Sequence, residues 1–252
     1  LTADEGEPRM GYQAEDPKGS ATVVDLSVPS SMIITFDRFN WNRSDLVDDG
    51  IIIRKGSMPS TDFEPEYIAV SGDRAYITLQ ENNAIAILDI PGRRFVSIQS
   101  AGFEDYGKVP VDLDKKDKAY SPALYEGVMG IRMPDGIAAF TSGGETFLIT
   151  ANEGDSREWG NHVNEVEVNF GDGESSPRGN IAAESGISGK VVFFDADSYD
   201  GLDDETDYIF GGRSATLYKV DGDTISEMAT TSSDFESITA ESLPEYFNAS
   251  ND

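Results

Sequence analysis

Cysteine is absent from the chain and histidine occurs once, at His162. Both scarcities limit the kinds of catalytic site and metal site that the protein can form. Without cysteine there are no disulfides and no thiolate nucleophile, and metal sites for soft metals are disfavoured. A single histidine disfavours a Ser-His-Asp triad, and the polar stretch around His162 is typical of an exposed loop. Gly-x-Ser-x-Gly, P-loop and dinucleotide-binding motifs are also missing. No catalytic residue is identified, and metal-assisted hydrolysis is the only enzyme class that the residues support.

Positive charge and long apolar runs are scarce as well. The 252 residues include 19 Lys and Arg against 47 Asp and Glu, for a formal net charge of −28. Nucleic acid and anionic membrane surfaces would be repelled by this charge, whereas divalent cations would be attracted. No run of about 18 apolar residues is present, so no membrane insertion is predicted. Most of the acidic side chains are expected to form an ordinary solvated surface.

Three segments repeat the same order of apolar strand, acidic turn and β-branched strand. They are LTADEGEPR with GSATVVDLS, AYITLQENN with AIAILDI, and FLITANEGDSRE with the distant SGKVVFFDAD. Around the second copy, tight turns at Gly72-Asp73 and Asn82-Asn83 separate four short strands, predicted at 66–70, 75–80, 84–90 and 94–99. Four meandering strands in about 40 residues are typical of one β-propeller blade.

The predicted fold is therefore an all-β propeller of four-stranded antiparallel blades, with about three to four blades in residues 1–252. The third copy predicts the next blade, and 213–231 predicts a hairpin that starts another. Long loops are expected at about 103–132 and 155–188, and a short helix within 30–48. Because a propeller closes with about four to eight blades, we expect further blades of the same protein, or another chain, to complete the ring. A different all-β arrangement is the alternative.

Six motifs, in order, resemble the choice-of-anchor I proteins and a YVTN-type propeller repeat: LTADEGEPR, EPEYIAVS, YITLQENNAIAILDI, PDGIAAF, LITANEGDSRE and FGGRS. That family includes proteins labelled as atypical alkaline phosphatases and mesenchyme-specific cell-surface glycoproteins. The resemblance covers nearly the whole chain and corresponds to the N-terminal half of the family domain. It implies an extracellular, cell-surface or periplasmic location and, through the phosphatase label, hydrolysis of a phosphate ester.

Propeller geometry places the loop that enters a blade and the turn after its second strand on the same face of the ring. These segments carry carboxylates that would meet near one mouth of the channel: Glu5, Glu66, Glu81, Asp135, Glu153 and Asp155. Converging carboxylates repel one another unless a cation neutralises them or their pKa values rise. Oxygen ligands favour Ca²⁺, or another hard cation such as Mg²⁺. The alternative is that each carboxylate only binds backbone N–H groups of its own turn.

Three arginines are candidates for binding an anion. Arg9 and Arg157 follow equivalent acidic turns, and Arg213 follows Gly211-Gly212. Each would pair with nearby carboxylates or, alternatively, hold a phosphate group in a bidentate manner.

Two weaker patterns in the sequence are an aspartate-rich segment and a pair of glycosylation sequons. Asp195, Asp197 and Asp200 approach an EF-hand spacing and form a second candidate calcium loop, against a solvated turn. Asn42 and Asn248 begin Asn-x-Ser sequons, which would accept glycan on a protein secreted by a eukaryote. The start at Leu1 leads us to expect a chain that is processed, truncated or incompletely represented.

Two functional hypotheses follow. One is a secreted or surface propeller that binds divalent cations at its axial mouth and hydrolyses a phosphate ester. The other is a non-catalytic extracellular module of a matrix, a mineral or an assembly.

Overall fold

The computed structural model describes residues 1–6, 17–114, 119–159 and 162–247, which form an all-β structure and confirm the predicted class. The strands are β1 (Thr2–Asp4), β2 (Ser20–Asp25), β3 (Ser30–Thr35), β4 (Ile53–Arg54), β5 (Pro65–Ser71), β6 (Arg74–Leu79), β7 (Ala84–Asp89), β8 (Arg94–Ser100), β9 (Phe103–Asp105), β10 (Val128–Ile131), β11 (Pro134–Ser142), β12 (Glu145–Asn152), β13 (Glu158–Trp159), β14 (His162–Val163), β15 (Glu165–Asn169), β16 (Lys190–Phe194), β17 (Tyr199–Asp200), β18 (Asp207–Phe210), β19 (Ser214–Asp221) and β20 (Thr224–Thr230).

Helix is confined to short pieces between these strands and after the last one. The α-helices are α1 (Arg43–Asp48), α2 (Pro59–Asp62) and α3 (Asp234–Ser242), and 3-10 turns occupy Asp37–Asn42, Phe170–Asp172 and Ala196–Ser198. The predicted short helix within 30–48 is thereby confirmed. No helix in the described ranges is long and apolar enough to cross a membrane.

Three sheets correspond to the three sequence repeats. The first sheet has the order β1-β2-β3, the second sheet β5-β6-β7-β8, and the third sheet β11-β12-β19-β20, with every pairing antiparallel. The four strands predicted around the second copy are confirmed to within one residue at each end.

Strand β7 explains why its sequence, AIAILD, is a continuous apolar run rather than an alternating one. All five residues from Ala84 to Leu88 are fully buried. Ala84, Ala86 and Leu88 pack toward Phe36 and the first sheet, whereas Ile85 and Ile87 pack toward residues of the third sheet. Because successive side chains of a strand point to opposite faces, a strand between two covered faces must be apolar at every position. The second sheet is thus sandwiched between the other two.

The third sheet departs from the sequence prediction in its third strand. The segment predicted there, SGKVVFFDAD, instead forms β16, which pairs with β15 and β18 in a separate sheet. The true partner of β12 is β19, from Phe147 opposite Lys219 to Asn152 opposite Ser214. The hairpin predicted at 213–231 exists as β19–β20, but it completes the third sheet and does not begin a new one. Both candidate segments are rich in β-branched and aromatic residues, so propensity alone did not separate them.

The two predicted long loops also contain strands, which corrects that part of the prediction. The insertion sheet has the order β15-β16-β18-β10-β9, with β18 and β10 parallel. Its own core includes Tyr106, Val128, Val168 and Phe193. Two ribbons, β13–β14 and β4–β17, complete the sheet structure. The apolar residues within these segments therefore form a second layer of structure beside the repeats.

Candidate functional site: an acidic pocket at the strand ends

A cavity of about 310 Å³ lies where strands of all three repeat sheets end, and we call it the acidic pocket. It is lined by Glu5, Glu64, Glu66, Tyr67, Gln80, Glu81, Asp135, Glu153, Asp155, Ser156 and Arg157. All six carboxylates that the sequence nominated as metal ligands are in this lining. The structure therefore brings together groups that are up to 150 positions apart in the chain.

Two positions of the repeat supply most of these carboxylates. Glu5, Glu81 and Glu153 lie just beyond β1, β6 and β12, each three residues after an equivalent threonine of the repeat (Thr2, Thr78 and Thr150). Glu66 and Asp135 each follow the proline that begins β5 or β11, and both strands have an irregular register between that proline and the next isoleucine. A bulge of this kind re-aims side chains at a strand end, so equivalent residues of successive sheets reach one cavity.

Burial and neighbouring carboxylates raise the pKa values of Glu66 and Glu153 in this pocket. The pKa of half-buried Glu66 is raised to about 7, first by burial and then by the negative charges of Glu5 and Asp135. The pKa of Glu153 is also raised, chiefly because its side chain forms a hydrogen bond with Asp135. Two carboxyl groups in such contact must share a proton or a cation.

Glu81 is the most enclosed of the six predicted ligands. It is only 8% exposed, and its Oε2 atom has no hydrogen-bond partner among the described residues. Burial and the neighbouring Glu64 raise its pKa well above the usual value. A buried polar atom without a partner costs free energy, so Glu81 gains stability from either a proton or a cation in the pocket.

Arg157 enters the same pocket but is engaged in buried ion pairs. Its Nη1 lies 3.1 Å from Asp62 Oδ1, and its Nε lies 3.1 Å from Glu64 Oε2. Both partners precede β5, a long way from Arg157 in sequence, so the pairing is not with carboxylates of its own turn. Asp62 was missed at the sequence level because nothing in its local sequence marks it as a contact of residue 157.

Arg213 lies outside the acidic pocket. It donates to the carbonyl oxygen of Asp112 over 2.8 Å and forms an ion pair with Glu236. It borders two neighbouring cavities, one of about 360 Å³ and one of about 520 Å³. Arg9 lies outside the described residues.

The second candidate calcium loop is not drawn together. Asp195 accepts from the Ser198 hydroxyl, Asp197 pairs with Arg178 at 2.6 Å, and Asp200 pairs with Arg43 at 2.7 Å. Across the described ranges, no three acidic or histidine side chains form a group that holds a metal ion as they stand.

The other nominated residues are simply placed. Asn42 is exposed at the end of a 3-10 turn, so its sequon is accessible to solvent and glycosylation there stays a prediction. Asn248 lies outside the described residues. His162 belongs to the β14 ribbon by its backbone.

Repeated sheets with an acidic pocket at their strand ends define the class: an all-β protein organised around a cluster of carboxylates. A model of the choice-of-anchor I domain matches residues 1–252, and the chain belongs to this family. Membership implies a β-domain at the cell surface or outside the cell. A search of curated proteins found no match to the chain. A search of solved structures likewise found none.

Proposed function

We propose that the protein is a surface module of β-propeller type that binds a divalent cation in its acidic pocket. The observation that carries the proposal is Glu81, whose Oε2 atom is buried beside other carboxylates and has no hydrogen-bond partner among the described residues. The further ligands would be Glu66 and Glu153, whose pKa values are raised, and Asp135, which forms a hydrogen bond with Glu153.

Ca²⁺ suits this pocket better than transition metals. It accepts six to eight oxygen ligands in flexible geometry, including amide oxygens and water, and the lining offers carboxylates and the amide of Gln80 without sulfur. A bound cation would draw the carboxylates closer, because it replaces their repulsion with attraction.

Isothermal calorimetry with CaCl₂ and MgCl₂ tests this proposal. We expect Ca²⁺ to bind to the wild-type chain, and Glu81→Gln to weaken binding by at least tenfold. Glu167→Gln is the matched control, because it makes the same change of charge at an exposed site paired with Lys190. Absence of binding at millimolar Ca²⁺ would refute the cation site.

The non-catalytic form of this function is the better supported one. The described arginines that were candidates for holding a phosphate are occupied, Arg157 by Asp62 and Glu64 and Arg213 by Glu236. Hydrolysis of a phosphate ester, which the family resemblance implies, would need the cation itself to attract the anion. Turnover of p-nitrophenyl phosphate, with and without chelator and with Glu153→Gln, decides between the two. Metal-dependent turnover that Glu153→Gln abolishes would favour the phosphatase.

The propeller arrangement is supported by the contact between β5 and β11, the innermost strands of the second and third sheets. Neighbouring blades of a propeller pack in this manner around a channel. We infer that further blades, from the same protein or another chain, complete the ring. Electron microscopy of the assembled protein would reveal the ring, and an isolated stack of sheets would contradict it.

A further inference from the structure

The strongest unexplained feature of the pocket wall is a fully buried arginine. Arg157 is 3% exposed, and its guanidinium donates to Glu64 through Nε and to Asp62 through Nη1 and Nη2, the latter reaching the Asp62 carbonyl oxygen over 2.8 Å. Its backbone N–H donates to Asn164 Oδ1. All three guanidinium nitrogens thus donate to Asp62 or Glu64, which belong to another segment of the chain.

Asp62 passes this interaction on to the turn that carries Glu81. The Oδ2 atom of Asp62 accepts from the side-chain amide of Asn82 over 2.9 Å and from the backbone N–H of Arg54 over 3.1 Å. Asn82 is itself fully buried and donates to the carbonyl oxygen of Ile52, whose N–H returns a hydrogen bond to the Asn82 carbonyl oxygen. Three hydrogen bonds, one with Asp62 and two with Ile52, therefore fix Asn82, the residue next to Glu81.

Arg157, Asp62 and Asn82 form one continuous chain of buried hydrogen bonds, which we call the Arg157 relay. One end touches Glu64, which lines the acidic pocket, and the other end fixes the backbone beside Glu81, which also lines it. Neither Asp62 nor Asn82 borders the cavity. Arg157 borders the cavity itself, and Asp62 and Asn82 form an outer layer behind it that supports the pocket carboxylates, as groups behind metal ligands commonly do.

We propose that Arg157 is a positioning residue of the acidic pocket, which sets the affinity for a divalent cation by holding Glu64 directly and Glu81 through Asp62 and Asn82. This inference rests on the proposed cation site. The positioning role replaces the phosphate-binding role considered for Arg157, because the donors that would bind a phosphate already bind Asp62 and Glu64. The planar fork is required, since lysine has the charge but not the paired donors.

The test compares two buried arginines in the full chain. Arg157→Lys keeps the charge and removes the fork, and Asp62→Asn weakens the relay at a residue outside the cavity. Arg132→Lys is the matched control: Arg132 is also 3% exposed and also pairs with two carboxylates, Glu104 and Glu227, neither of which lines the pocket. Ca²⁺ affinity is measured by calorimetry, and amide hydrogen exchange is measured at Ile52 and Asn83.

We expect Arg157→Lys and Asp62→Asn each to lower Ca²⁺ affinity by about tenfold to a hundredfold, the range for supporting residues of metal sites, and the double variant to be little worse than either. Arg132→Lys should leave affinity within about twofold while unfolding more easily. Equal affinities for Arg157→Lys and wild type, or an equal loss in Arg132→Lys, would overturn the proposal.

If the wild-type chain does not bind Ca²⁺, the cation site is refuted. Amide hydrogen exchange then tests whether the Arg157 relay positions the turn that carries Glu81. Faster exchange at Ile52 and Asn83 in Arg157→Lys, but not in Arg132→Lys, would support positioning of this turn. Unchanged exchange would overturn it.

Discussion

The second and third sheets have the same strand order and the same two acidic positions, yet they connect their second and third strands differently. In the second sheet, β6 and β7 are joined by residues 80–83, whereas in the third, β12 and β19 are joined by 153–213. The long connection contains three of the five strands of the insertion sheet, β15, β16 and β18. The chain then returns to the third sheet, where β19 pairs with β12. Strand pairing in a repeat thus survives a large insertion at a turn, because loop-closure entropy grows slowly with length.

The ends of this insertion meet at two glycines. A Cβ on Gly154 would lie 2.1 Å from the Gly211 nitrogen, and one on Gly211 would lie 2.0 Å from the Glu153 carbonyl oxygen. Both residues have positive φ angles, which glycine adopts without a steric penalty. The insertion therefore leaves and re-enters the third sheet through a close backbone crossing that a side chain would block.

The largest effect is expected when the ion pairs between the insertion and the segment that precedes β5 are removed. Arg157→Met removes the Arg157 cation from the buried carboxylates of Asp62 and Glu64, and Asp62 keeps a longer ion pair with Arg54 at 3.8 Å. We expect a loss of about 3–5 kcal/mol in the free energy of unfolding. Urea unfolding measures it. Adding Asp62→Asn and Glu64→Gln should recover part of the loss, because the buried charges are then gone. A loss below about 1 kcal/mol would mean that the insertion is not anchored by this contact.

A smaller loss is expected at the crossing. Gly211→Ala places a Cβ against the Glu153 carbonyl oxygen at a φ of +76°. The left-handed conformation alone costs about 1–2 kcal/mol, and the overlap adds to it. Gly222→Ala in the β19–β20 turn is the control, since it has a φ of +62° and no atom within 4 Å of the new Cβ. Equal thermal stability of the two variants would show that the crossing tolerates a side chain.

The smallest effect concerns pH and the pocket shared by the sheets. The pKa of Glu66 rises from its usual 4.5 to about 7 on folding, so the folded chain holds a proton that the unfolded chain releases. This contribution to stability is complete below about pH 4.5 and is lost as pH rises through about 7. After allowance for solvent screening, it amounts to about 1 kcal/mol.

Unfolding measured between pH 5 and 8 should therefore show Glu66→Gln with a flatter decline than wild type. Glu145→Gln, at the opposite end of the third sheet, should keep the wild-type slope. If both variants follow the wild-type curve, Glu66 does not hold a proton in the folded chain.

Local sequence was sufficient for the second sheet and for the acidic positions. Turn residues and the repeated acidic positions at strand ends predicted four strands and six pocket residues, because each depends on neighbours in the chain. It was insufficient for the third sheet, where Lys190–Phe194 and Ser214–Asp221 have equally strand-like compositions. Their partners decided between them, and partners lie elsewhere in sequence.

By itself, the sequence determined an all-β chain, strongly acidic and free of cysteine, in which equivalent turns present carboxylates. The tertiary structure decided which carboxylates are buried, that Arg157 reaches Asp62 and Glu64, and that β16 belongs to a different sheet from β12. Those outcomes depend on contacts between residues separated by up to 95 positions. The free energy of an ion pair or a sheet edge is set by what surrounds it in space, and the local sequence does not contain that information.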